Sequence, residues 1–263
     1  MLQFIWISCK SFLKERIFGI IISLSTLYFF IPVFSSFSMR QVQEVGITMC
    51  LSLNSFVLLL LSVLCGLSTL WRDIERRYVY IMLAYPVSRT TYFLGRFLGC
   101  VILFVFISVI NFFLSIISIN ICASIYKSNL PILWNNIGFC FLFTFLKYVL
   151  LLSLSFLFIS LSTSFFTPFF LTITIYIAGN ASQGIYEYIF TEAAQKYSVW
   201  FKILIKIIYY ILPNFSSFDL TAYASYALKI NYESLLFSFL YFMLYMTMSI
   251  SLGCIIFSKR DML

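Results

Sequence analysis

The sequence contains no histidine and few charged residues. Of its 263 residues only 10% are charged, with nine acidic side chains against seventeen Lys and Arg. Without imidazole there is no histidine base, no histidine metal ligand and no Ser-His-Asp triad. The acidic residues are dispersed, which disfavours the metal-diphosphate chemistry of a membrane-embedded lipid or isoprenoid transferase. The seven cysteines lack C-x-x-C spacing, so no metal site is predicted.

Hydrophobic residues make up 62% of the chain, and 32 Phe and 18 Tyr are among them. This composition excludes both a water-soluble globular domain and a disordered chain. We therefore expect an all-α polytopic membrane protein, because a helix satisfies its backbone hydrogen bonds internally. The excess of basic residues fits loop charges that set membrane topology better than a nucleic-acid-binding surface, so no nucleic-acid partner is expected.

Six apolar stretches are about long enough to cross a bilayer core of about 30 Å as helices. They cover approximately Ile17–Phe37, Ile47–Leu70, Phe97–Ala123, Ile137–Ser160, Phe165–Ala181 and Ser234–Phe257. We expect these six spans to form one transmembrane domain over residues 1–263, since no internal repeat or low-complexity linker divides the chain.

Basic residues predict the orientation, because Lys and Arg in short loops stay on the cytoplasmic side. Ten of them lie before span one, between spans two and three, or after span six: Lys10, Lys14, Arg16, Arg72, Arg76, Arg77, Arg89, Arg96, Lys259 and Arg260. Both termini of this multi-pass protein are therefore predicted to be cytoplasmic.

Two segments outside the spans have their own pattern. Residues 1–16 place Ile5, Trp6 and Cys9 on one helical face and the lysines on the other, which favours an interfacial helix over a simple lead-in to span one. Residues 182–233 form a long outer loop. Within it Val199–Leu212 is apolar but holds two lysines, so we expect a re-entrant or surface amphipathic helix before span six rather than a seventh span.

The loop at residues 71–89 has the strongest pattern. Apolar and aromatic residues recur there at helical spacing, and Pro86 would end the helix. Asp73 and Glu75 would occupy its first turn, where acidic residues suit the positive end of the helix dipole. We expect a short amphipathic helix on the cytoplasmic surface, able to dock a protein partner or lipid.

This loop resembles that of type-2 ATP-binding-cassette (ABC) exporter permeases, in particular the NosY-like branch. That branch typically has an E-R/K-rich helix, an apolar stretch, P-[VIL]-S-R and Y-x-L-G-[KR]. The matching segments are Glu75-Arg76-Arg77, Ile81-Met82-Leu83, Pro86-Val87-Ser88-Arg89 and Tyr92-Phe93-Leu94-Gly95-Arg96. Two weaker matches are Leu212-Pro213-Asn214 followed by Phe218-Asp219, and the terminal Phe257-Ser258-Lys259-Arg260-Asp261. Tyr78-Val79 departs from the Gly-Thr or Thr that many members have after the charged run.

The resemblance implies that residues 1–263 form a single permease domain in a bacterial cytoplasmic (inner) membrane. Such a permease pairs with a second copy or a homologue and works with two separately encoded ATPase subunits. The chain itself has no G-x-x-x-x-G-K-[ST] motif, so we expect no enzyme activity and no cofactor here, with ATP and Mg²⁺ bound by the partner ATPase. The implied ATPase-coupling residues are Arg72, Asp73, Glu75, Arg76, Arg77, Tyr78, Ile81, Tyr85, Pro86 and Arg89. Membrane lipid is a further expected partner, and a periplasmic accessory protein is compatible with this arrangement.

Lys147 lies near the middle of span four, where a charge costs about 3 kcal/mol on insertion scales. It is therefore expected to be paired or to face a wet cavity. Asn111 in span three and Asn54 in span two are candidate partners. A functional role, a structural hydrogen bond between helices and snorkelling of the lysine all remain open.

Two function classes compete after the transferase is set aside. The first is an exporter permease that moves an amphiphilic or lipid-like substrate, because few polar residues lie within the spans. The alternative is a membrane anchor that does not transport, and instead transmits force or extracts lipid as part of an ATPase complex acting on an envelope component.

Overall fold

The computed structural model describes residues 2–13, 16–38, 40–75, 88–126, 128, 130–189 and 198–259. Within these ranges the regular structure is entirely helical. We label the α-helices α1 Leu2–Leu13, α2 Arg16–Ser25, α3 Ile31–Ser36, α4 Val42–Glu75, α5 Arg89–Ile125, α6 Trp134–Leu161, α7 Phe166–Ile189, α8 Val199–Ile211, α9 Thr221–Ser225 and α10 Tyr232–Lys259. Short 3-10 helices cover Thr26–Phe30 and Ser216–Phe218.

Five of the described helical segments are long and apolar enough to cross a membrane. They are Phe18–Ser36, Val42–Leu64, Arg89–Ile125, Trp134–Leu161 and Tyr232–Lys259. These segments coincide with predicted spans one, two, three, four and six. The coarse prediction of an all-α, multi-pass membrane protein is confirmed, whereas the side on which each terminus lies stays a prediction.

The region of the predicted fifth span differs from the expectation. Helix α7 forms there but runs on to Ile189, and it is not among the five qualifying segments. Its second half carries Asn180, Ser182, Gln183 and Glu187, which dilute the apolar run. The helical segments Trp200–Ile211 and Ser216–Ser225 are bent by 54° relative to each other. If they form one bent span, they provide a sixth crossing of the membrane. The same bent pair also fits the re-entrant segment expected before span six.

Proline accounts for two breaks in the helices. Predicted span one is divided into α2, a 3-10 helix and α3, and Pro32 lies in the first turn of α3. Proline has no N–H to donate to the preceding turn, so the regular hydrogen-bond ladder cannot continue through it. Pro213 lies between α8 and the second 3-10 helix and interrupts the helical hydrogen bonding there for the same reason.

The core is formed where α4, α5, α6 and α10 pack against one another. Close packing depends on a small residue in α10: a Cβ atom at Gly253 would lie 2.9 Å from the Phe93 ring. Phe93 in turn meets Phe156 edge-on, with ring centroids 5.6 Å apart. The Phe257 ring of α10 lies 5.4 Å from Phe93, centroid to centroid, so aromatic side chains from three helices pack together.

Exposure of side chains on these helices follows a membrane pattern. Large apolar side chains are exposed along α10, among them Phe237, Leu244 and Met248, while Asn54 and Asn111 are completely buried in the interior. In water such continuous apolar faces would drive aggregation, but hydrocarbon is a suitable solvent for them. The distribution therefore supports a helical bundle surrounded by lipid.

Candidate functional site

The last turn of α4 and the second turn of α5 are joined by a buried ion pair. Arg96 contacts the Asp73 carboxylate, and both side chains are about 95% buried. Tyr92, one turn before Arg96, donates a hydrogen bond to Asp73 Oδ2 at 2.6 Å, and Arg96 Nε donates to the Tyr92 hydroxyl oxygen at 3.3 Å. The three side chains form one network, which compensates both charges and fixes the spacing of the two helices.

Helix α1 is bound to the same network. Arg96 Nη1 donates to Ser8 Oγ at 3.2 Å, and Arg72 Nη2 in α4 donates to Ser11 Oγ at 2.9 Å. The α1 backbone can approach α5 closely because residue 99 is glycine: a Cβ there would lie 2.5 Å from Ser8 Cβ. The predicted interfacial helix is therefore packed onto α4 and α5, and its position at the membrane surface stays a prediction.

The start of α5 explains two residues of the Pro-Val-Ser-Arg match. Ser88 is the N-cap, and its hydroxyl accepts a hydrogen bond from the Thr91 backbone N–H at 3.3 Å. Arg89 Nη1 donates to the Ser258 carbonyl oxygen at 3.1 Å, which connects α5 with the end of α10. We call the cluster of Ser8, Asp73, Arg89, Tyr92 and Arg96 the loop root, since Asp73 and Arg89 flank residues 76–87 in the sequence.

The expected coupling residues fall into two groups. Arg72 and Asp73 contact neighbouring helices of the chain, whereas Glu75 is exposed at the end of α4. The assignment of Asp73 and Glu75 to the first turn of a separate helix is wrong, because α4 is continuous to Glu75 and contains both residues. Arg76, Arg77, Tyr78, Ile81, Tyr85 and Pro86 lie outside the described residues.

The two intramembrane asparagines pair with each other. Asn111 Nδ2 donates to Asn54 Oδ1 at 3.3 Å, and Ser25 Oγ donates to Asn111 Oδ1 at 3.0 Å. The network joins α2, α4 and α5 deep in the bundle. Asn54 Nδ2 is buried and has no hydrogen-bond partner among the described residues. The expectation that these asparagines partner Lys147 is therefore wrong.

Lys147 contacts α7 instead. Its Nζ atom donates a hydrogen bond to Asn180 Oδ1 at 2.8 Å and lies 5.8 and 5.6 Å from the ring centroids of Tyr148 and Tyr176. The side chain is 7% exposed. The rotation of α6 decides this outcome, because it directs Lys147 towards α7 and away from Asn111. Snorkelling is also ruled out in this arrangement, since the ammonium is held by a neighbouring helix.

Lys147 lines a cavity of about 280 Å³ between α4, α6, α7 and the segment after Pro213. The polar residues around it include Ser52, Ser55, Thr144, Lys147, Tyr176 and Asp219. Asp219 Oδ1 accepts hydrogen bonds from the backbone N–H and the hydroxyl of Thr221, at 3.0 and 2.6 Å. We call this space the Lys147 cavity.

Sequence reasoning missed the contact of Asn180 with Lys147 and the role of Arg96. It used Asp219 only as part of a weak family match and did not place it beside Lys147. Tyr92 and Arg96 stand four residues apart on one helix, a spacing that brings their side chains together and could have indicated a shared partner. No comparable pattern links Lys147 to Asn180 or Asp219, because these residues come from three separate elements. No protein-family model matches the chain, and no curated protein matches it.

Proposed function

We propose that the chain is the membrane-spanning permease subunit of an ABC exporter in a bacterial inner membrane. Two such chains, or one chain and a homologue, would form the membrane part, and two ATPase subunits would supply the energy. The cargo would be amphiphilic or lipid-like. The chain would contribute the path and the coupling contacts, while ATP and Mg²⁺ would bind to the partner.

The loop root is the observation that carries this proposal. A segment that transmits ATPase movement must be attached rigidly to the helices it moves. Residues 76–87 contain much of the permease-like motif, and in the sequence they lie between Asp73 and Arg96, whose ion pair holds α4 against α5. Separating α4 from α5 here would leave two buried charges without their partners, which is unfavourable, so the ion pair favours movement of the two helices together.

The contacts of α1 and α10 extend the attachment. Ser8 joins α1 to Arg96, and Arg89 joins the start of α5 to the end of α10. A force applied to residues 76–87 would consequently act on four helices together. Such a rigid unit supports a coupling function better than a passive loop, which would dissipate the movement locally.

Isolation of the chain from its native membrane in a mild detergent tests the proposal. Mass spectrometry of the purified complex is expected to identify a P-loop ATPase at one copy per permease chain. Added ATP should be hydrolysed by this complex and not by the permease chain alone. Failure to recover an ATPase under conditions that preserve other membrane complexes would contradict the proposal.

A further inference from the structure

We propose that the Lys147 cavity binds the zwitterionic head group of an amphiphile, with the anionic group on Lys147 and the cationic group on Asp219. This proposal rests on the proposed function, because it identifies the chemical class of the molecule that the exporter would carry. The binding site itself belongs to this chain alone and can be measured without an ATPase.

The first argument is the incomplete hydrogen bonding of a buried cation. An ammonium group has three N–H donors, and among the described residues Lys147 uses one of them, to Asn180. Its other neighbours there include the faces of two tyrosine rings, which attract a cation but do not accept hydrogen bonds as an anion would. An anionic oxygen in the cavity would complete the coordination of the ammonium.

The second argument is the opposite charge on the cavity wall. Asp219 lines the same space, but it accepts its hydrogen bonds from Thr221 rather than from Lys147. Asp219 is exposed, whereas Lys147 is buried. A purely anionic ligand would meet repulsion from Asp219, whereas a ligand with a cationic group at the exposed side would satisfy both residues.

The third argument is the broken backbone beside the cavity. Pro213 separates α8 from the 3-10 helix that precedes Asp219, and the two arms meet at 54°. The Phe215 N–H donates to the Gly179 carbonyl oxygen at 3.3 Å, so the break is packed against α7. Irregular backbone at membrane depth occurs where it is buried in protein or lines a cavity, and discontinuous helices form binding sites in transporters.

Size and surroundings select an amphiphile. Pockets for small molecules commonly measure roughly 300–1,000 Å³, so a cavity of about 280 Å³ suits a head group better than a whole lipid. Phe56 and Leu59 line the same space, and Phe56 is 50% exposed at the surface of the chain. A hydrocarbon chain could therefore leave the cavity along this apolar rim.

Binding to the purified chain in a neutral maltoside detergent tests the proposal, with 1-oleoyl-lysophosphatidylethanolamine as the probe. Native mass spectrometry or calorimetry is expected to show binding to the unaltered protein. Lys147→Met and Asp219→Asn should each weaken it at least tenfold. Asparagine can still accept the hydrogen bonds of Thr221, so the second variant preserves the local fold. Lys206→Met and Glu187→Gln, which change exposed charges elsewhere, are the matched controls and should bind normally.

Oleoyl-lysophosphatidic acid lacks the cationic group, so it distinguishes the contribution of Lys147 to binding from that of Asp219. Lys147→Met should weaken its binding, whereas Asp219→Asn should leave it unchanged or strengthen it. If the unaltered protein binds this anionic probe as tightly as the zwitterionic one, the assignment of Asp219 is overturned. Phosphoethanolamine, which has no hydrocarbon chain, is expected to bind at least tenfold more weakly. Equal affinity would refute the proposal that the ligand is an amphiphile.

Two further variants guard against a loss of folding. Lys147→Arg keeps the charge and should retain binding if Lys147→Met proves unstable. Ser52→Phe places a large side chain at the exposed side of the cavity and should block the probe without removing a charge. If the zwitterionic probe still binds normally to both the Ser52→Phe and the Asp219→Asn variants, the Lys147 cavity is not its binding site. None of these results alters the ATPase isolation described above, so the two proposals fail separately.

Discussion

Asp73 and Arg96 form a buried ion pair between the last turn of α4 and the second turn of α5. The acidic residue stands at the negative end of a helix dipole, a placement that is unfavourable by itself. The guanidinium of Arg96 and the hydroxyl of Tyr92 compensate it. The ion pair thus offsets an unfavourable interaction of Asp73 with the α4 dipole, at the point where α4 and α5 are connected.

Loss of one partner is expected to be more damaging than loss of both. Arg96→Met would leave the Asp73 carboxylate buried without its cation, at a cost of about 3–5 kcal/mol in the free energy of unfolding. The double variant with Asp73→Leu should recover most of that loss. Denaturant unfolding in detergent measures the cycle. A double variant as unstable as Arg96→Met would show that the pair is not the source of the effect.

Docking of α1 is expected to depend on Gly99. Gly99→Ala would bring a Cβ to 3.2 Å from the Ile5 carbonyl oxygen and into contact with Ser8, so α1 should move away. Cys9 reports this movement, because its thiol donates to the Gly99 carbonyl oxygen and burial raises its pKa. A raised pKa lowers the reactive thiolate fraction near neutral pH, so displacement should accelerate labelling by maleimide severalfold, measured on the Cys9 peptide.

Gly138→Ala provides the matched control for this labelling. A Cβ at Gly138 meets nothing within 4 Å, although the residue also lies within a helix. Its Cys9 labelling rate should equal that of the unaltered protein. Equal rates in Gly99→Ala and Gly138→Ala would argue against close packing of α1 on α5.

The asparagine network is expected to stabilise the bundle modestly. Asn111→Leu removes the acceptor of Ser25 and the donor to Asn54, and interhelical hydrogen bonds in membranes contribute about 0.6–2 kcal/mol. The free energy of unfolding should fall by a similar amount. Asn120→Leu, at an exposed position of the same helix, should have little effect. Similar losses from both variants would indicate a general response of α5 rather than the network.

Contacts with the ATPase are expected to involve Glu75 and the two arginines after it. Replacing Glu75, Arg76 and Arg77 together with alanine should lower ATPase recovery and substrate-stimulated hydrolysis, while the permease remains folded. Glu75 is exposed, so its loss should not disturb the loop root. Lys202 and Lys206, replaced together with alanine in α8, form the control. If the triple variant binds the ATPase as well as the unaltered protein does, these three residues do not have the proposed coupling role.

The sequence alone determined the class of protein and most of its spans. Long apolar runs have one stable solution in a bilayer, which is a helix, and five of the six predicted spans coincide with qualifying helices. The fifth predicted span is not among them, because its helix continues through polar residues. One of these is Asn180, whose contact with Lys147 could not be recognised before the packing of the helices was known. The loop motif indicated where α4 and α5 connect, but not that Asp73 belongs to the end of α4.

Only the tertiary structure decided which polar groups meet. Lys147 pairs with Asn180 and not with Asn111, because the rotation of α6 about its axis directs the side chain towards α7. An almost uniformly apolar helix carries little periodicity from which that rotation could be predicted. The packing of α1 on Gly99 and the position of Asp219 beside Lys147 likewise depend on contacts between residues far apart in sequence. Span length is a local property of the chain, whereas these partnerships are set by how the helices pack.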